Sequence, residues 1–182
     1  YPPFATTLAA YNSTVDTRYG SLAADFRAVY PVASDADVLA MAYAPMRDNL
    51  FAWQPWTMAR AHAAQNRSAT YLYFFTRRPP YHPDQNFNGQ SSPDQFGAYH
   101  SLEQVYLYNN LDVSAPARPY TEVDRQLADT ASSYLVNFAR HGNPNGTGLP
   151  VWPRFVDDSS PAMELGDTVA PVAVPFRPAL DF

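Results

Sequence analysis

Apolar positions along this chain recur at helical spacing in several stretches and at strand-like density in one. Between Gly20 and Tyr30, Leu22, Phe26 and Val29 lie four and three residues apart and Pro31 stops the pattern, which predicts a short amphipathic helix. Ser34 followed by Asp37 is close to a capping box and predicts a second helix carrying Val38 and Met41, limited or bent by Pro45. A third helix is predicted from about Arg47 to Gln65, with Leu50, Phe51, Trp53 and Met58 as its buried residues and Pro55 as an interruption. The rings of Phe51, Trp53 and Trp56 suit core or interface burial, the alternative being the wall of a ligand pocket.

Ala69 to Thr76 is a nearly unbroken run of β-formers ending at Arg77-Arg78-Pro79-Pro80, which predicts a strand covered on both faces. The stretch from Arg77 to Gln95 is too long and too polar for a plain connector and is a candidate functional loop. A long helix from about Thr121 to Arg140 places Val123, Leu127, Ala131, Tyr134, Leu135 and Phe138 on one stripe and stops at Gly142. Beyond it, short apolar pieces separated by turn residues predict one or two strands and an irregular tail. No repeat and no linker divides the sequence, so residues 1–182 are expected to form a single portion of one domain.

Composition narrows the function. With 46% hydrophobic and 15% aromatic residues the chain is too apolar to remain disordered. A net charge of -5 and the lack of any basic run argue against a nucleic-acid partner and favour a small, weakly charged ligand. Every basic side chain is arginine, which removes lysine Schiff-base chemistry, and the absence of cysteine removes thiolate ligands and a cysteine nucleophile. No stretch reaches the roughly 18 apolar residues of a membrane span. Tyr1-Pro2-Pro3-Phe4 carries neither an initiator methionine nor a leader, so the natural N-terminus is expected to have been removed or to lie on a preceding segment. A secreted or periplasmic location is expected, with the cytoplasm as the alternative.

The candidate chemistry centres on Gly97-Ala98-Tyr99-His100, continued by Ser101-Leu102-Glu103. Gly97 permits a tight turn, the strand ahead of the loop supplies a rigid base, and catalytic residues tend to sit on loops held by such scaffolds. His100 is therefore the candidate catalytic base, set against a hydrogen-bonded loop histidine. Glu103 suits a supporting role that fixes the loop. His62 among alanines, His82 in the proline-rich loop and His141 at a helix end suit structural or solvent-exposed roles. A metal site built from His82, Asp84, His100 and Glu103 matches no ligand spacing pattern, and no carboxylate pair stands out for glycosidase chemistry, so no metal or cofactor is expected. The chain holds no Gly-x-Ser-x-Gly elbow to supply a nucleophile.

Two segments carry a resemblance. Phe96 to Glu103 resembles the Gly-Ala-x-His-[Gly/Ser]-x-Glu motif, and Phe138-Ala139-Arg140-His141-Gly142-Asn143-Pro144-Asn145, continuing to Leu149-Pro150-Val151-Trp152-Pro153, is similar to the second signature, of the type-B carboxylesterase and cholinesterase family. The likeness runs from about Ser21 onward, with Met163-Glu164-Leu165 resembling a short strand beyond the second motif, and corresponds to the C-terminal third of those serine hydrolases. It implies an α/β fold: the C-terminal part of an α/β-hydrolase, a mostly parallel sheet flanked by helices, incomplete without an N-terminal segment. It also implies a carboxylic ester hydrolase in which His100 is the triad base, while the serine, the acid and the oxyanion loop come from an N-terminal portion on the same or a cleaved chain. A small-molecule ester is the implied substrate. The absence of cysteine suggests a bacterial-type member, and the alternative is a non-catalytic cholinesterase-like adhesion or binding module.

Overall fold

Side-chain caps start two of the first helices. The Thr7 hydroxyl accepts the Ala10 amide at 3.2 Å and opens α1, Leu8–Tyr19, an element the hydrophobic pattern does not predict. A 3₁₀ turn, Gly20–Leu22, leads into α2, Ala23–Val29. Its tighter pitch shifts the phase, so Ala23 and Phe26 are buried while Leu22 is exposed. Ser34 caps α3, Asp35–Ala40, by accepting the Asp37 amide at 3.2 Å, and the Asp37 carboxylate accepts the Ser34 hydroxyl at 2.9 Å. Pro45 sits in the first turn of α4, Ala44–Arg47, where its missing N–H leaves no bond unmade.

The computed structural model describes residues 5–65, 67–82, 96–113 and 118–182. They form two compact units, Tyr1–Met58 with Pro175–Phe182, and Ala59–Val174. Tyr11, Val15, Phe26, Tyr30 and Val38 make the core of the first. There the Tyr11 hydroxyl donates to the Tyr30 carbonyl at 2.6 Å, and Tyr30 reaches the buried Asp48 carboxylate at 3.1 Å.

A π-type turn, Asp48–Trp53, precedes α5, Gln54–Gln65. Pro55 offers no amide to the carbonyl four residues earlier, and the widened turn ahead of it alters the angular phase. The expected buried face is thus corrected: Leu50, Phe51, Trp53 and Met58 are exposed, Met58 by 72%, and Trp56 and Ala59 take the inner positions. A run of apolar residues facing water marks an interaction surface or an aggregation liability. Expressed alone, the chain is expected to bind an apolar dye such as ANS strongly and to unfold gradually; weak dye binding with a sharp thermal transition would contradict this.

In the second unit, β1, Tyr73–Phe75, is followed at distance by α6, Glu103–Leu107, and α7, Glu122–His141. Then come β2, Ala162–Leu165, and β3, Val169–Val172. The sheet order is β1-β2-β3, with β1 parallel to β2 in the register Tyr73 to Met163 and Phe75 to Leu165, and β2 antiparallel to β3. Among the described residues β1 is therefore paired on one edge. It is shorter and more open than the strand predicted over 69–76, with Tyr73 exposed and Phe74 and Phe75 half-buried. The chain closes with α8, Arg177–Asp181, in the segment expected to be irregular.

Thr121 and Asp124 form a capping box at the start of α7, and Gly142 at φ +65° ends it. The buried stripe runs through Asp124, Leu127, Ala128, Ala131 and Tyr134, while Val123, Leu135 and Phe138 are partly exposed, a rotation of about one residue from the expected face. The second sequence signature is a structural device. The Asn145 side chain accepts the Trp152 amide at 2.7 Å and donates to the Trp152 carbonyl at 3.0 Å, and the Trp152 indole donates to the Leu72 carbonyl at 3.2 Å. Trp152 thereby pins the loop after α7 against the residue preceding β1.

Candidate active site

His100 stands on a four-residue turn, Tyr99–Leu102, closed by the Leu102 amide donating to the Tyr99 carbonyl at 3.1 Å. Ser101, at the third position, has φ +68°, the sign a type II turn requires there. His100 occupies the second position and is exposed. Gly97 lies at φ +54°, and among the described residues nothing beyond its chain neighbours comes within 4 Å of where a Cβ would sit, so what the position shows is a demand for backbone freedom. Both feet of the turn are held: Leu102 is buried in the main core, and Tyr99 is half-buried against the same cluster. A non-glycine residue at positive φ costs about 1–2 kcal/mol, and such strain persists where the surroundings fix it.

The turn leads straight into α6, whose Tyr106 ring lies 5.3 Å from that of Phe75, the last residue of β1. A fully buried carboxylate completes the arrangement. Asp124 accepts Arg77 Nε at 2.7 Å and Nη2 at 2.9 Å, the Tyr106 hydroxyl at 2.9 Å, and the Thr121 amide and hydroxyl at 2.8 and 2.7 Å. Burial raises its pKa, but the bonds from Arg77, Thr121 and Tyr106 outweigh this and hold the carboxyl below its usual range. Burial and the hydrogen bond to Asp124 push the Tyr106 phenol far up, keeping it a donor. The segment between β1 and α6 is thus tied at Arg77 and at Tyr106 to one carboxylate on α7. Closer to the turn, Arg118 donates to the Tyr99 hydroxyl at 2.7 Å and to the Pro80 carbonyl at 3.3 Å, with its guanidinium 4.6 Å over the Tyr81 ring.

Glu103 is the first residue of α6 and half-buried, and its charge acts with burial to raise the pKa of Tyr73. His62 is bonded to Thr70 at 2.7 Å and to Ser68 at 3.3 Å on the outside of α5, and His82 and His141 are exposed. Among the described residues no cluster of three or more His, Asp or Glu side chains is placed to hold a metal ion; Asp84 lies outside them. Of the aromatic residues that precede His100 in sequence, Phe87 also lies outside the described residues, Phe96 is exposed, and the Tyr99 hydroxyl is turned to Arg118. A cavity of about 500 Å³ within the first unit is lined by Tyr30, Met41, Arg47, Asp48 and Phe176 among others, and its lining includes no histidine or serine. Asp124 and Arg118 escape a reading by motif, although a carboxylate in phase with Leu127, Ala128 and Ala131 signals a buried ion pair.

The model of the Carboxylesterase family matches residues 10–178. The chain is 32% identical to a liver carboxylesterase of Sus scrofa over 123 residues, covering 66% of this chain and 19% of that protein. It is 34% identical to a cocaine esterase of Oryctolagus cuniculus over 95 residues, covering 52% of this chain and 16% of that one. Among solved structures, a carboxylesterase of Geobacillus stearothermophilus superimposes with a TM-score of 0.68 at 19% identity, over 94% of this chain and 32% of that chain. A PNB esterase does so with a TM-score of 0.63 at 23% identity, over 93% and 33%. The chain spans about one fifth or less of these curated relatives and one third of these solved chains.

Proposed function

Since the chain belongs to the carboxylesterase family and carries part of an α/β-hydrolase fold, we propose that it supplies the catalytic histidine of a serine carboxylesterase. The placement of His100 supports this: an exposed imidazole on a braced turn, next to a helix packed on the carboxyl end of a parallel strand, where open α/β sheets take their ligands. His100 accepts the proton of a serine hydroxyl as the oxygen attacks the ester carbonyl carbon. The carbonyl electrons move onto oxygen and return as the bond to the leaving alcohol breaks, and His100 gives that alcohol its proton. Water then loses a proton to His100, attacks the acyl-serine and releases the carboxylic acid as the proton passes back to serine.

Serine, triad acid and oxyanion donors come, in this reading, from polypeptide beyond the chain, whose sequence holds no Gly-x-Ser-x-Gly. In this reading that polypeptide continues the sheet at the edge of β1 that is unpaired among the described residues. The substrates are small carboxylic esters. Labelling the complete polypeptide with a fluorophosphonate and mapping the adduct by mass spectrometry tests the assignment. One serine outside these residues should carry the label; a label on a serine within them, or none, would overturn it.

A further inference from the structure

We infer that Arg118 is a positioning residue for His100, holding the turn that carries the imidazole rather than contacting the reacting atoms. The inference rests on His100 being the proton-shuttling base. The turn that carries His100 stands on two residues, Tyr99 and Leu102. Leu102 is fixed by burial in the core, 3% exposed. Tyr99 packs half-buried on the same core, and its hydroxyl is aimed by a charged group: it accepts Arg118 Nη2 at 2.7 Å, while Nη1 of the same guanidinium donates to the Pro80 carbonyl at 3.3 Å. Arg118 also lies over the Tyr81 ring, at 4.6 Å.

One planar cation therefore joins the residue before His100 to the opposite arm of the same segment, where it leaves β1. The planar fork matters, because a lysine ammonium provides a point charge and cannot keep the two directed bonds and the ring contact together. The buried Arg77–Asp124–Tyr106 cluster ties the outer ends of this segment, five or more residues from His100, and Arg118 adds a tie next to it. A displacement of the base by about 1 Å can cost up to about 100-fold in rate, so the expected effect is on turnover and not on substrate affinity.

The test uses the complete polypeptide with p-nitrophenyl acetate and normalises rates to sites titrated by a fluorophosphonate at completion, which separates slow sites from misfolded ones. Arg118→Lys and Tyr99→Phe should each lower kcat per titrated site by about 10- to 100-fold with KM within about threefold, and the double variant should be no worse than the weaker single. Added guanidinium should restore part of the rate of Arg118→Ala. Parental kcat per site in both single variants, or losses that multiply in the double, would overturn the inference. His100→Ala, assayed alongside, separates the failures. If it retains activity the proton-shuttle assignment fails, and if it alone is inactive only the role of Arg118 fails.

Discussion

Replacing His100 by alanine in the complete polypeptide is expected to lower kcat for p-nitrophenyl esters by roughly three orders of magnitude or more, with KM changed little. The size follows from the chemistry. A serine hydroxyl attacks slowly while it keeps its proton, and a departing alkoxide is a poor leaving group until it receives one, so a single missing imidazole harms both half-reactions. The turn is closed by a hydrogen bond between backbone groups, which alanine at position 100 keeps. Thermal unfolding of the variant should match that of the parent. Near-parental turnover would remove His100 from the mechanism, and an unfolded variant would give it a structural role instead.

The largest effect on stability is expected at the ion pair beneath that segment. Asp124 is fully buried and Arg77 only 13% exposed, and removing one partner of a buried pair leaves an uncompensated charge at a cost of about 3–5 kcal/mol. The two sides are unequal. Without Asp124, Arg77 keeps Asp167 at 2.6 Å, although that carboxylate is 76% exposed and such a pair contributes about 1 kcal/mol or less. Without Arg77, Asp124 keeps Thr121 and Tyr106, neither of which carries a positive charge. Arg77→Met should therefore lower the urea midpoint more than Asp124→Asn. The acid limb carries the sign: a carboxyl held below its unfolded value of about 3.9 contributes stability that is present above that pH and is lost as pH falls through the folded value. The gap between parent and Asp124→Asn should be widest near neutrality and narrow in acid; a gap independent of pH would mean that the charge contributes nothing.

Local rules of chain chemistry read well in this protein wherever a backbone need had one side-chain answer. Ser34 with Asp37, Thr121 with Asp124, and Gly142 at left-handed φ are where caps belong, and Met163-Glu164-Leu165 is a strand. The phase of a helix was harder to read, because it depends on what packs against it. The 3₁₀ turn ahead of α2 moved Leu22 outward, the π-type turn ahead of Pro55 accompanied the exposure of Phe51 and Trp53, and α7 turned by about a residue to bury Asp124. That last shift decides most. Asp124 has the local signature of a cap, yet its second and larger role depends on Arg77, 47 residues earlier, and a bond of that range leaves no mark in local spacing. That His100 stands on a turn was legible from the glycine three residues before it; the bond from Arg118 to Tyr99, 19 residues away, was not.

The most direct measurement is a crystal structure of the complete polypeptide carrying a fluorophosphonate adduct. The account predicts the phosphonylated serine Oγ, on polypeptide beyond these residues, at about 3 Å from a ring nitrogen of His100. A structure in which the labelled serine is served by another histidine, with the His100 ring directed away from it, would contradict the account.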